Sequence, residues 1–242
     1  MRYAVISDIH GNVHALEAVL KDIERQVPDH IFCLGDLVGY GAFPGECIAL
    51  VKESCSVILK GNHDAAAGAG GSLDGYFEDA RLSLEWTRER LSEAEREFLQ
   101  ALPLTHAGEI TSYVHASLHE PAEWDYLDTE EALDLHFERQ ESDLCFAGHT
   151  HLPAIIGGAE LACANLSWNV PLPLPRDQKI LINPGAVGQP RDEDPRACYA
   201  IFDEAQRIVT YRRVRYEVRR AQNGIRAIKM PTFLADRLEN GV

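Results

Sequence analysis

A short apolar run, Val5-Ile6, breaks off at Ser7-Asp8-Ile9-His10-Gly11-Asn12, and the same design recurs three more times along the chain. Ile31-Phe32-Cys33-Leu34 runs into Gly35-Asp36, and Val57-Ile58-Leu59 into Gly61-Asn62-His63-Asp64. Leu144-Cys145-Phe146-Ala147 runs into Gly148-His149-Thr150-His151. Each run has the length and the β-branched or aromatic character of a buried strand. Residues i and i+2 of an extended segment point to one side, so Asp8 and His10, or His149 and His151, can converge on one point. Folding alone does not require acids and histidines at the ends of core strands. Four such ends carrying Asp, Asn and His predict a metal site with places for two ions.

The segments between these ends set the fold class. Val13, Leu16, Val19, Leu20 and Ile23 recur at helical spacing behind Asn12, which is placed as the helix cap. With the strand at residues 31–34 this makes a β-α-β unit, hence parallel strands joined by a right-handed crossover. Ligands in such sheets bind beyond the carboxyl ends of the strands, where Asp8, His10 and Asp36 lie. Further helices are expected over about 46–53, 76–90, 92–101 and 130–139. The third of these opens on the capping box Ser92-Glu93-Ala94-Glu95. Strands are expected over 56–60 and 109–115, and the small-residue stretch 65–75 reads as a mobile loop near the site mouth. From Leu152 to Phe202 the pattern changes to short strands, at 154–156, 161–165, 179–182 and 197–202, which predict a second sheet packed on the first. Pro171, Pro173 and Pro175 mark an extended connector. A strand over 208–214 and a helix end the chain, so residues 1–242 read as one domain with a core over about 1–202 and a tail over 203–242.

Charge and cysteine usage narrow the class. A net charge of −15 over 242 residues argues against a broad nucleic-acid or membrane surface. Residues 207–229 run against that trend, with eight Lys or Arg and a single Glu. They read first as solvated basic faces and second as a contact for an acidic ligand or subunit. No segment has the length of a membrane span, and the N-terminal apolar run is too short for a signal peptide. Cys33, Cys47, Cys55, Cys145, Cys163 and Cys198 are scattered without a C-x-x-C pair, which fits a reduced cytoplasmic protein.

Asp, His and Asn are hard-to-borderline ligands that suit Mn²⁺, Fe, Zn²⁺ or Ni²⁺. Asp36, alone at its strand end, has two oxygens with which to bridge two ions. Two metals roughly 3.5–4 Å apart can bind a phosphoryl group, lower the pKa of a bridging water and steady an in-line transition state. His63, between Asn62 and Asp64, is the candidate proton donor, because a histidine oriented by a carboxylate can stay protonated near neutral pH.

Together Asp8-x-His10, Gly35-Asp36, Gly61-Asn62-His63-Asp64, His115 and Gly148-His149-x-His151 resemble, in order and spacing, the motifs of the calcineurin-like metallophosphoesterases. The stretch from Asn183 to Arg191 is similar to the small bacterial single-domain branch of that family. The resemblance implies a four-layer α-β-β-α sandwich, two mixed β-sheets flanked by helices, with a dinuclear site at the strand ends. It implies that Asp8, His10, Asp36 and His151 hold one metal, and that Asp36, Asn62, His115 and His149 hold the other. A metal-bridging hydroxide would attack the ester, His63 would protonate the leaving group, and Asp64 would orient His63. One departure stands out: the fourth motif commonly reads His-Gly and here is His115-Ala116, so the local turn is expected to differ.

Outside the motifs, His14, His30, His106, His119 and His136 read as surface or core-edge residues. Arg191 reads either as a solvated loop charge or as a bidentate clamp on a substrate phosphate, and Asn12 as a cap with a lesser claim to touch substrate. The function expected is hydrolysis of phosphate mono- or diesters of a small substrate. A dinucleoside polyphosphate hydrolase, a protein-phosphatase-like enzyme and a non-catalytic metal-binding regulator are the alternatives. Intact His63 and Asp64 speak against the last, since a scaffold needs no proton donor.

Overall fold

The computed structural model describes residues 1–157 and 166–242. The chain opens β1 (Arg2–Ile6), α1 (Val13–Gln26), β2 (His30–Cys33), α2 (Pro44–Ser54) and β3 (Val57–Ile58). Asn12 caps α1 as expected, its side chain accepting from the Ala15 amide. Three helices come next, α3 (Asn62–Ala69), α4 (Glu78–Arg90) and α5 (Glu93–Ala101), and α5 starts on the Ser92–Glu95 capping box. Then come β4 (Thr105–Ala107), β5 (Thr111–Val114), α6 (Glu130–Arg139), β6 (Leu144–Ala147) and β7 (Ala154–Gly157). The rest is β8 (Leu172–Pro173), β9 (Ile180–Asn183), β10 (Ala197–Asp203), β11 (Ile208–Val214), α7 (Val218–Ala227) and α8 (Thr232–Asn240).

Two mixed sheets result, in the orders β3-β2-β1-β10-β11-β8 and β4-β5-β6-β9-β7. β1, β2 and β3 are parallel, as are β5, β6 and β9, while β10 lies antiparallel beside β1. Strict alternation along the strands builds the layers. Val5, Leu144, Phe146, Ile180, Ile182, Ala200 and Phe202 fill the space between the sheets. Their neighbours face outward. Ala4, Ile6, Tyr199 and Ile201 meet the helices on one side, and Val114, Cys145, Ala147 and Leu181 meet Leu133 of α6 on the other. Burying each large inner side chain contributes about 1.5–3 kcal/mol. The buried Tyr211 hydroxyl spans the sandwich, reaching the carbonyls of Ala154 (2.6 Å) and Asn183 (2.8 Å). The α-β-β-α sandwich is therefore as expected.

Several local readings change. The short strands after residue 152 do not form one sheet of their own. β7 and β9 extend the sheet begun by β5 and β6, whereas β10 returns to pair with β1. The expected loop at 65–75 is helical as far as Ala69, because three alanines outweigh one glycine there. Arg88 of α4 grips α3 and the turn beyond it, donating to the carbonyls of Ala66 and Gly71. The expected strand at 161–165 lies outside the described residues. His136 is not at the core edge but fully buried, accepting from the Leu118 amide at 3.2 Å.

The basic tail is not a solvated face either. Arg207, 3% exposed, pairs with Asp143 at 2.8 Å, and Arg212 pairs with Asp22. Arg213 pairs with Asp192 and Asp194, and Arg226 with Asp236. The local excess of cations thus neutralises acids from the rest of the chain. No helix among the described residues is long and apolar enough to cross a membrane, and Cys33, Cys47, Cys55, Cys145 and Cys198 are free.

Candidate metal centre

The parallel strands β1, β2 and β6 end side by side, and their exits are unusual. Asp8 (φ 55°), His10 (φ 49°), Asp36 (φ 54°), His149 (φ 64°) and His151 (φ 63°) all adopt left-handed backbone conformations. Side-chain convergence therefore comes from sharp left-handed turns and not from the extended i, i+2 geometry. Each such turn at a residue with a Cβ costs roughly 1–2 kcal/mol. Strain of this kind persists only where the surroundings impose it, and it clusters at functional sites.

What imposes it is a net of backbone hydrogen bonds. Asp8 N–H donates to Gly35 O (3.1 Å), and the amides of Ile9 and His10 both donate to Asp36 O (2.9 Å). The stretch from Asn183 to Arg191 laces the other side. The Asn183 amide donates to Gly148 O (2.8 Å) and accepts from Gly185 N–H (2.9 Å), and Val187 and Gly188 donate to Ser7 O and Asp8 O. Gly61 must be glycine, because a Cβ there would collide with the Asp36 carboxylate.

Two overlapping ligand sets emerge. The donor atoms of Asp8, His10, Asp36 and His151 lie within 4.8 Å of one another, and so do those of Asp36, His115 and His149. Asp36 belongs to both. Its Oδ2 lies 3.5 Å from His10 Nε2 and 3.4 Å from His115 Nε2, while its Oδ1 accepts from the His63 amide (2.8 Å). Three rings are oriented from behind: His10 Nδ1 faces Val38 O (3.1 Å), His115 Nδ1 faces Leu34 O (3.2 Å) and His151 Nδ1 faces Gln189 O (2.6 Å). A carbonyl takes a proton from Nδ1, which leaves the Nε2 lone pair for a metal.

The donor set fits the metals that the sequence implies. Asp8 Oδ1, Asn62 Oδ1, His115 Nε2 and His149 Nε2 are buried without a hydrogen-bond partner. Four orphaned electron-rich atoms in one cavity would each cost about 1–3 kcal/mol unless something completes them. Ala116, where a glycine is the commoner residue, is buried and has no positive φ, so His115 reaches its place without the freedom of glycine.

Charge is arranged accordingly. Burial pushes Asp8 up to about 6 against the pull of His115. Burial would also raise Asp36, but the His115 and His63 rings and the His115 hydrogen bond hold it well below the carboxylate range. Burial drives His10 and His151 well below the usual histidine value and His149 down to about 3, leaving neutral rings, the ligating form.

His63 sits in a box formed by the rings of Tyr40 (4.6 Å), His10 (4.8 Å) and Tyr76 (5.7 Å), with its Nδ1 unpartnered. Burial lowers it to about 4. Asp64 does not orient it, contrary to expectation. The Asp64 carboxylate accepts from the amides of Leu37 (2.9 Å), Val38 (3.3 Å) and Gly61 (3.0 Å), so it clamps the loop that carries Asp36 to the start of α3. A carboxylate three residues into a helix is drawn to free backbone amides, and these outcompete the neighbouring ring.

Asn12 has no group left for a substrate. Its Oδ1 caps α1 and its Nδ2 donates to Gly188 O at 2.8 Å. Arg191 is the opposite case. It is half-buried, its Nη2 donates to Gln189 Oε1 (3.2 Å), its Nε is buried without an acceptor, and its charge depresses His10, His149 and His151. It belongs to the rim of the site and is no solvated loop charge. The opposite rim carries Trp124, whose ring centroid is 6.0 Å from that of His115, and Tyr126, 46% exposed and 4.1 Å from the His149 ring. These aromatic walls, and the carbonyls of Leu34, Val38 and Gln189, carry no motif that marks them in a single sequence.

The geometry agrees with comparisons to known proteins. The family model of the calcineurin-like phosphoesterase superfamily domain matches residues 1–207. An uncharacterized protein of Methanocaldococcus jannaschii is 38% identical over 240 residues, covering 97% of this chain and 96% of that protein. The crystal structure of a metallophosphoesterase from Sphaerobacter thermophilus superposes with a TM-score of 0.90 at 39% identity, covering 100% of this chain and 99% of that one. A hypothetical protein from Pyrococcus horikoshii shares the fold, with a TM-score of 0.81 at 20% identity over 100% of this chain and 98% of its own. The chain belongs to the calcineurin-like phosphoesterase superfamily.

Proposed function

We propose that this protein hydrolyses phosphate mono- or diesters of a small substrate at a two-metal site. One observation carries the reading: two ligand sets share Asp36 and end in buried donor atoms that no protein group satisfies. Asp8, His10, Asp36 and His151 hold one ion, and Asp36, Asn62, His115 and His149 the other, drawn from Mn, Fe, Zn or Ni. Bound there, the metals supply an activated water and neutralise charge at phosphorus during in-line displacement.

The chain's own groups do the rest. Arg191, with unspent donors at the rim, orients a phosphoryl oxygen. His63 serves the leaving oxygen. Burial by itself keeps the ring neutral, and the negative charge of an arriving phosphate favours its protonated form. Asp64 acts on catalysis only through the loop it holds. The boxed His63 supports an enzyme over a metal-binding regulator, because a regulator has no use for a poised imidazole. Core thiols that remain free suit the reducing cytoplasm.

The test is hydrolysis of paired chromogenic mono- and diester phosphates by metal-stripped protein, restored separately with Mn²⁺, Ni²⁺, Zn²⁺ and Mg²⁺. Turnover should require added metal, vanish in Asp36→Asn, and fall about 10²–10⁴-fold in kcat for His63→Ala. Metal-independent turnover, or full activity in Asp36→Asn, would sink the proposal.

A further inference from the structure

The C-terminal hairpin of α7 and α8 lies beyond the matched family domain, yet it reaches the metal centre. Its helices meet through Ala221, Ile225, Leu234, Ala235 and Leu238, and the Tyr40 ring, which walls His10 and His63, packs against that cluster. A second attachment lies beside Arg191. The Glu193 amide donates to Gly241 O at 2.8 Å, and Gly241 (φ 68°) sits so close to the Asp194 backbone that a Cβ would collide. From the other side Arg213 grips the same loop through Asp192 and Asp194, with its guanidinium stacked 4.4 Å from the Trp168 ring.

Fastened in this way, the hairpin brings Arg237 to the wall shared by Tyr40 and Arg191. Arg196, Arg207, Arg212, Arg213 and Arg226 are all ion-paired, but among the described residues Arg191 and Arg237 are not. Arg237 spends Nε on the Val242 carbonyl and stacks 5.0 Å from the Phe233 ring, and among the described residues its terminal nitrogens have no acceptor. Arg191 keeps its buried Nε unpartnered. Burial, and after it the Arg191 charge, pull Arg237 down to about 10, so the two cations feel each other. A place in the last turn of α8 favours one cation through the helix dipole. It does not account for a second cation held against the first, away from any acid, in a chain of net charge −15.

Partly desolvated guanidinium groups without partners are costly, and an anion that takes both removes the cost. We propose that Arg237 and Arg191 form a second anion subsite beside the metals, so that the substrate carries a further phosphoryl group next to the scissile one. A phosphoryl dianion matches two guanidinium forks in charge and in acceptor number, whereas a single carboxylate matches one. The proposal rests on the phosphoesterase reading of the same site and names the class of ester, a phosphoanhydride or closely spaced bisphosphate.

Binding of two non-hydrolysable probes to Mn²⁺-loaded protein, methylenediphosphonate and methylphosphonate, tests it by titration calorimetry. Arg237→Gln should lower the preference for the diphosphonate by about tenfold, and Arg237→Lys, which keeps charge but lacks the fork, by about threefold. An unchanged preference in Arg237→Gln overturns the subsite. Should that variant misfold and lose methylphosphonate as well, Arg237→Lys decides, and a preference equal to the wild type counts against the proposal. Loss of preference in a protein that hydrolyses no ester would keep the subsite and reject the hydrolase. Ester turnover with the preference intact would do the reverse.

Discussion

Val27, which ends α1, adopts φ 49° although it is β-branched and 76% exposed. No contact holds it there, in contrast to Asp8 or His149, whose equally strained backbones are pinned by hydrogen bonds from neighbouring strand ends. Strain at Val27 is thus a pure cost of the helix stop, and strain at Asp8 aims a ligand. Val27→Gly should stabilise the fold by about 1 kcal/mol, read as a higher Tm in thermal denaturation. The same contrast explains what a single sequence discloses at this scale. Asp8, His10, Asp36, His149 and His151 are legible because chemistry-bearing residues stand where a strand would otherwise need none. The partners that aim them are backbone carbonyls of Leu34, Val38 and Gln189, and every residue has a carbonyl. For the same reason Asp64 was readable as functional but not as a clamp on three amides, since the amides it holds leave no mark on side-chain identity.

Among elements, α6 shows how burial converts a histidine into a pH-dependent prop. His136 lies on the face turned to the second sheet, fully buried, and burial lowers it to about 4. Its unfolded value is about 6.5, so between those two values the unfolded chain binds the extra proton. Stability from this residue is complete above pH 6.5 and drains away as pH falls to about 4, by about 3 kcal/mol in all. His136→Gln, which retains an acceptor for the Leu118 amide, should flatten that part of the stability profile measured by urea unfolding from pH 7 to 4. α6 itself was legible residue for residue, because its cap and apolar spacing are local. The assignment of β10 to the first sheet was not. Its alternation fits either sheet, and the choice is made by pairing with β1 far away in the sequence.

At the scale of the whole molecule, the metal ligands come from both sheets. Asp8, His10 and Asp36 follow strands of the first sheet, and His115, His149 and His151 follow strands of the second. Ions bound between them tie the two halves together in the folded state only. Mn²⁺ at about a hundred times its dissociation constant should add about 2.7 kcal/mol of stability. For a chain of this size that is a rise in Tm of roughly 5–10 °C by calorimetry, reversed by a chelator. Asp36→Asn, which damages both ligand sets, should abolish most of the shift.

The pairing of Arg2 with Asp203 also has a consequence for biosynthesis. β1 leaves the ribosome first, but its antiparallel neighbour is translated about two hundred residues later, roughly 10–40 s at ordinary elongation rates. During that interval the nascent chain carries one exposed sheet edge next to half of its ligands, and no ion can find a complete coordination sphere. Maturation of the centre is therefore a post-translational event, and the interval before it is when the growing polypeptide depends most on chaperones.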